Sequence, residues 1–236
     1  KMSSHRQLQS TIRSVRSNNQ IYKAMDLVAA SKHRRAQEDT RPSQAYSEAS
    51  RELLTQLGSM TDVKRTTFYL ERKITTRLVI LITSDRGLAG SFNANATKQF
   101  VLLLKSDIKA GIKTQVVCVG RKGAQFASRI KDVEIVGVYP SMPERLTAED
   151  IRPMLVNAVD RFVDEKVDRI DIITTRFINS FMQKAETFKL LPAVFETIKV
   201  SSDVALASFE PSVDEVLEGA TIRLLEAQLY QALLDA

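Results

Sequence analysis

Cysteine occurs once in these 236 residues, as Cys118, and a single thiol excludes both an intrachain disulfide framework and a CxxC metal site. That usage is compatible with a reducing compartment. Long apolar runs are missing too. "LVILI" at Leu78–Ile82 and "FVLLL" at Phe100–Leu104 are five residues each, against the roughly 20 that a membrane-spanning helix needs. The expectation is a globular chain without a span. Histidine is limited to His5 and His33; on one helix they stand about 42 Å apart, too far to share a metal. Glycine is sparse as well, and no GxGxxG dinucleotide fingerprint or GxxxxGK[ST] phosphate loop occurs.

What is present is a hydrophobic content of 44%, enough at this length to bury a sizeable core in one large domain or two small ones. The N-terminal stretch "KMSSHRQLQSTIRSVR" is basic and serine-containing in the manner of a transit peptide. It runs straight into a regular helical pattern, with no apolar core or small-residue cleavage site, and reads as mature protein. The net charge of +6 is concentrated there: residues 1–41 hold nine Lys/Arg and three Asp/Glu, so the remainder is neutral. A localised basic stripe calls for an acidic partner, which composition alone leaves open among nucleic acid, anionic lipid and protein carboxylates.

Along that N-terminal segment Leu8, Ile12, Val15, Tyr22, Ala29 and Ala36 step by four and three, with Asn19, Asp26 and His33 as polar interruptions. This is a heptad seam. Ile21, Met25 and Val28 form a second apolar line beside it, so the helix offers apolar surface in more than one direction. Ser3 or Ser4 suits the N-cap and Gly58 the stop, giving a helix of about 50 residues that Pro42 should bend or interrupt. At the other end Val213, Leu217, Ala220, Leu224, Ala227, Gln231 and Leu234 keep the same spacing, after Pro211 and Ser212 as the start.

Between the two helices the pattern changes. Strands are expected at Arg77–Thr83, Thr114–Gly120, Val133–Val138 and Arg169–Phe177, with helical stretches near 93–109, 123–130 and 150–165. Alternation of this kind indicates crossover units and a mainly parallel, doubly wound sheet. The fold expected is therefore α/β: an antiparallel coiled coil of the N- and C-terminal helices with an inserted Rossmann-like α/β domain. Its parts are a coiled-coil helix over 1–58, an inserted domain over 77–200 and a C-terminal helix over 210–236.

Few residues offer chemistry. The loop "TSDRGLAGSFNANATKQF" has Gly87 and Gly90 at a strand-to-helix turn, where doubly wound folds often hold phosphate. The glycines equally serve a tight turn, and Asp85 and Arg86 could form a local or intersubunit ion pair. Cys118 sits inside an apolar strand with no basic residue before Arg121, which fits a buried inert thiol rather than a nucleophile. The pairs Glu149–Asp150 and Asp164–Glu165 fall at helix ends, where the first pair complements the N-terminal dipole.

Five blocks, in order, carry a resemblance: "KAMDLVAASKHRRAQ", "TSDRGLAGSFNAN", "VGRKG", "RFINSFMQ...KLLP" and "FEPS...LYQALLDA". Together they resemble the gamma-subunit family of the F-type ATP synthases over essentially the whole chain. The resemblance implies a central rotor stalk with no active site, cofactor, metal or small-molecule substrate of its own. It implies one copy among three catalytic and three non-catalytic head subunits, with an epsilon-type subunit and a membrane ring of c subunits as further partners and no nucleic acid. Lys23, Met25, Lys32, Arg34 and Arg35 match the block that approaches the catalytic head, whose mobile lever is acidic. Asp85, Arg86, Gly87 and Gly90 match a block read as either subunit interface or structural turn. The implied location is peripheral, on the cytoplasmic face of a bacterial inner membrane, or the matrix side of the mitochondrial one. The family's C-terminal continuation lies beyond Ala236, so the last helix reads as truncated. The regulatory cysteine pair of chloroplast relatives is missing, so thiol switching is not expected.

Overall fold

The computed structural model describes residues 2–58, 66–143, 145–179, 182–194 and 213–236, with side chains described for 5–35, 38, 66–143, 145–176, 178–179, 182–194 and 215–236. The chain divides into two compact units, Lys1–Arg41 and Pro42–Ala236. Helix α1 covers Met2–Gly58, 57 residues. It is somewhat longer than the expected length of about 50 residues, and Ser3 and Ser4 lie inside its first turn, not at its cap. Pro42 does not interrupt it, although the division between the two units falls there, and Gly58 is its last residue as anticipated. Within the first unit, a lone helix, seam residues Leu8, Ile12, Val15 and Tyr22 and the second line of Ile21, Met25 and Val28 are all exposed.

The second unit is built on a five-stranded sheet, β1 (Thr76–Ile82), β2 (Lys113–Val119), β3 (Val133–Tyr139), β4 (Arg169–Asn179) and β5 (Met182–Leu191), in the order β3-β2-β1-β4-β5. β1 is parallel to β2 and β4, and β2 to β3. β5 is antiparallel to β4. The four expected strands are β1 to β4. The helices between them are α2 (Phe92–Ala110), α3 (Arg121–Ala127) and α4 (Ala148–Val163), and α5 (Val213–Leu234) closes the chain. The expected start at Pro211 and Ser212, the "FEPS" portion of the last block and the 195–200 end of the inserted segment lie outside the described residues.

Successive β1 side chains point to opposite faces, and both faces are covered. Leu78, Ile80 and Ile82 pack with α4 (Ile151, Met154, Phe162) and α5 (Leu225, Leu229, Ala232). Val79 and Leu81 pack with Ala96 and Phe100 of α2, Ala127 of α3 and Cys118 of β2. A strand buried on both sides reads as an unbroken apolar run, which is why "LVILI" shows no alternation. Each such side chain removed from water contributes about 1.5–3 kcal/mol. In α4, the Asp150 carboxylate accepts the Thr147 N–H at 2.8 Å and the Thr147 hydroxyl at 2.6 Å, fixing the helix start.

Candidate functional site

Lys23, Met25, Lys32, Arg34 and Arg35 all lie in α1 and are exposed. At 3.6 residues per turn, Lys23 and Arg34 fall within about 20° of each other, Met25 and Lys32 lie on nearly the opposite side, and Arg35 lies between. The helix therefore does not gather them into a pocket; it distributes them around its circumference. Arg34 Nε meets Glu38 Oε1 at 3.3 Å, an exposed i,i+4 pair of the kind that contributes little to stability.

The loop after β1 stands at the carboxyl edge of the sheet. Asp85 accepts two backbone N–H groups, from Arg121 at 3.1 Å through Oδ1 and from Ser141 at 2.9 Å through Oδ2. Arg121 Nη2 donates to Ser141 Oγ at 2.8 Å, and its Nε stands 3.8 Å from Asp85. One carboxylate thus ties the ends of β1, β2 and β3 together, and its local ion partner is Arg121 rather than Arg86, whose side chain is exposed. The Ser84 N–H is taken by Asn93 Oδ1 at 2.9 Å, the Gly123 N–H by Thr83 Oγ1 at 2.8 Å and the Lys122 N–H by the Ser84 carbonyl at 3.1 Å. These three amides flank the loop, and each has an acceptor within the chain. The bonds knit the base of the loop to β2, α2 and α3. Gly90 has φ 53 and uses its conformational freedom; Gly87 has no positive φ and open space around it. Leu88, between them, has φ 64 and is 80% exposed.

Two features escaped the sequence reading. Gly120, at φ 84, is packed so closely on β1 that a Cβ there would lie 2.1 Å from the Thr83 carbonyl oxygen. The "VGRKG" block held that signal, a glycine ending a strand. At the amino edge of the sheet lies a buried ion network. Arg77 Nε reaches Asp107 Oδ2 at 2.9 Å, Arg77 Nη1 bonds Asp171, and Arg169 Nε donates to Asp171 Oδ2 at 2.8 Å. Thr114 Oγ1 adds a bond to Asp107 at 3.2 Å. The side chains of Arg77, Asp107 and Asp171 are 11%, 1% and 0% exposed. Asp171 inside the apolar strand "RIDIITTRF" was the available clue.

Cys118 is buried, and burial pushes its thiol up to about 11, which keeps it protonated and unreactive. Among the described residues no cluster of three or more His, Cys, Asp or Glu could hold a metal. No described helix is long and apolar enough to cross a membrane.

A family model described as ATP synthase matches residues 4–236. The chain is similar to the ATP synthase gamma chain of Xylella fastidiosa strain M12, with 32% identity over 235 residues, 99% of this chain and 82% of that protein. Identity and coverage are the same for the gamma chain of Xanthomonas oryzae pv. oryzae strain PXO99A. Among solved structures, a chain of the Tetrahymena thermophila mitochondrial ATP synthase central stalk and c-ring matches with a TM-score of 0.65 at 19% identity, over 91% of this chain and 92% of that one. A chain of the Euglena gracilis mitochondrial enzyme gives 0.50 at 14% identity, over 86% and 77%. At these identities the structural likeness concerns the fold: long terminal helices with an inserted α/β domain.

Proposed function

The chain belongs to the gamma-chain family of the F-type ATP synthases, and from that premise we propose that α1 works as the shaft surface on which the catalytic head is driven. The protein is the central rotor subunit, non-catalytic itself, coupling rotation to the conformational cycle of the head. The observation that carries the assignment of α1 is the distribution of Lys23, Met25, Lys32, Arg34 and Arg35 around an exposed helix instead of into one pocket. A shaft can shift the equilibrium of a catalytic subunit only by contacting its conformations unequally. A helix with Lys23 and Arg34 on one side, Lys32 and Met25 on nearly the opposite one and Arg35 between them presents a different surface to each neighbour around it.

The chemistry suits sliding. Exposed cations attract an acidic lever over several ångströms but form no deep lock, because solvent screens them. Met25 adds an unbranched, adaptable contact. The seam of α1 and the Leu217, Leu224 and Ala227 line of α5 are complementary in period, which supports an antiparallel coiled coil of 1–58 with 210–236 around the inserted 77–200 domain. That domain is the coupling body, contacting the epsilon-type subunit and the c-ring, with one copy of the chain per three head pairs. The complex is peripheral, on the cytoplasmic face of a bacterial inner membrane, a reading favoured by bacterial relatives such as those of Xylella and Xanthomonas.

The test is a reconstituted complex carrying Lys32→Ala, Arg34→Ala and Arg35→Ala together. Proton pumping per ATP hydrolysed should fall while the melting temperature of the chain stays within a few degrees of wild type. Unchanged pumping and torque would remove these residues from the contact.

A further inference from the structure

At the amino edge of the sheet an open cleft of about 910 Å³ lies between the last turns of α2 and α4 and the first residues of β2 and β3. Four cations line it, Lys113, Lys131, Arg161 and Lys166, against the two carboxylates of Asp132 and Glu134. These charges do not neutralise one another. Lys166 pairs with Asp164 at 2.8 Å, and the Glu134 carboxylate accepts the Gln115 side-chain amide at 2.9 Å. Among the described residues Lys113, Lys131 and Arg161 form no ion pair.

Arg161 is the most constrained of the three. It is half-buried, its Nε donates to Asn157 Oδ1 at 3.0 Å and its Nη1 to Gln115 Oε1 at 3.3 Å. Both acceptors are neutral amides, so the guanidinium is oriented without losing its charge, and its Nη2 has no acceptor among the described residues. Basic side chains commonly stand at helix C-termini to meet the last carbonyls. Here backbone amides already do so: Gly111 and Ile112 close on the Ile108 and Asp107 carbonyls at 3.2 and 2.9 Å, and Lys166 and Val167 on that of Arg161 at 2.9 and 3.1 Å. The cationic side chains of the cleft cap none of these groups.

We propose that this cleft binds a small phosphate-bearing anion, with Arg161 as the fixed donor and Lys113 and Lys131 as flanking counter-charges. A guanidinium held in place offers its fork to phosphate oxygens at little cost in ordering. Three uncompensated cations call for a ligand of more than one negative charge, which a phosphoryl group supplies at neutral pH and a single carboxylate does not. Ile108 and Ile112 add an apolar wall against which the nucleoside of a nucleotide would rest. The inference concerns the α/β domain alone and does not depend on the rotor reading.

The experiment is calorimetric titration of the full chain, at constant ionic strength and without divalent cations, with inorganic phosphate, diphosphate and ADP in turn. Saturable binding at one site is expected, tighter for diphosphate than for phosphate. ADP binding more tightly than diphosphate identifies a nucleotide as the ligand; equal or weaker binding identifies the free phosphate anion. Arg161→Gln, and Lys113→Gln with Lys131→Gln, should each weaken binding by at least about tenfold. Lys98→Gln with Lys105→Gln, on exposed positions of α2 outside the cleft, should leave it unchanged. Melting temperatures are measured alongside; if Arg161→Gln unfolds the chain, the exposed lysine pair decides. Absence of saturable binding for all three anions would overturn the proposal. So would wild-type affinity in a folded cleft variant, or an equal loss in the α2 control, which would reduce the effect to unspecific attraction by net charge.

Discussion

Changing Asp171 to Asn probes how the α/β domain carries buried charge. Asp171 is fully buried between Arg77 and Arg169, and Arg77 also holds the equally buried Asp107, so two cations balance two carboxylates. Removing one charge leaves the network with one cation in excess: Arg77 keeps Asp107, but its buried Nη1 loses its anionic partner. Breaking a buried pair from one side costs about 3–5 kcal/mol. The Asp171→Asn change sits at the lower end of that range, because the amide oxygen still accepts one bond and no cavity forms. For a unit of this size each kcal/mol moves the melting temperature by roughly 2–4 °C, so a drop of about 6–12 °C is expected. The companion variant replaces Arg77, Asp107 and Asp171 together by Met, Leu and Leu. It should fall within about 1 kcal/mol of wild type, since removing all three strands no buried charge and restores apolar contact; Arg169, a third exposed, turns to solvent. Urea unfolding of the full chain, followed by circular dichroism at constant m-value, separates the two cases. An Asp171→Asn variant that loses less than about 1 kcal/mol would refute the reasoning and make the network a solvated surface cluster.

Gly120→Ala should be among the most damaging single-methyl additions in the domain, losing about 2–4 kcal/mol from the backbone clash with Thr83 together with the positive φ; Gly87→Ala, with open space around it, should lose less than about 1 kcal/mol in the same denaturation series. Cys118 should resist a thiol reagent at pH 8 in the folded protein, because its raised pKa leaves it almost wholly protonated there, and should react promptly in denaturant; rapid labelling of the native chain would contradict its burial.

The sheet was legible where burial was two-sided. β1 from Leu78 and β2 from Val116 are apolar runs because helices cover both faces, and the helices between the strands follow from their crossover spacing. β5 was not. Its first three residues are exposed and only Leu190 and Leu191 are fully buried, so "MQKAETFKLL" carries no clear period; it pairs with the edge of β4 that faces away from β1. α5 was half legible. Its four-and-three spacing was plain, and Leu217, Leu224 and Ala227 on that line are buried, but Leu225, Leu229 and Ala232 form a second face committed to the sheet. A helix with two apolar faces looks like one seam when only the stronger period is followed. The strained backbone at Leu88 had no local signal at all. It is produced by Asp85 reaching Arg121 and Ser141, 36 and 56 residues away in sequence, and no pattern within a loop encodes contacts of that range. The basic residues of α1 were legible as a stripe, and their spread around the helix follows from the helical period over 23–35.

The most direct test of the central claim is the mass, by light scattering, of the product formed when this chain is mixed with a preassembled head of three catalytic and three non-catalytic subunits from the matching enzyme. A rotor shaft predicts one chain per hexamer, whatever the excess of chain supplied. Three chains per hexamer, or none, would contradict it, because a shaft that drives three sites out of step must itself be single and central.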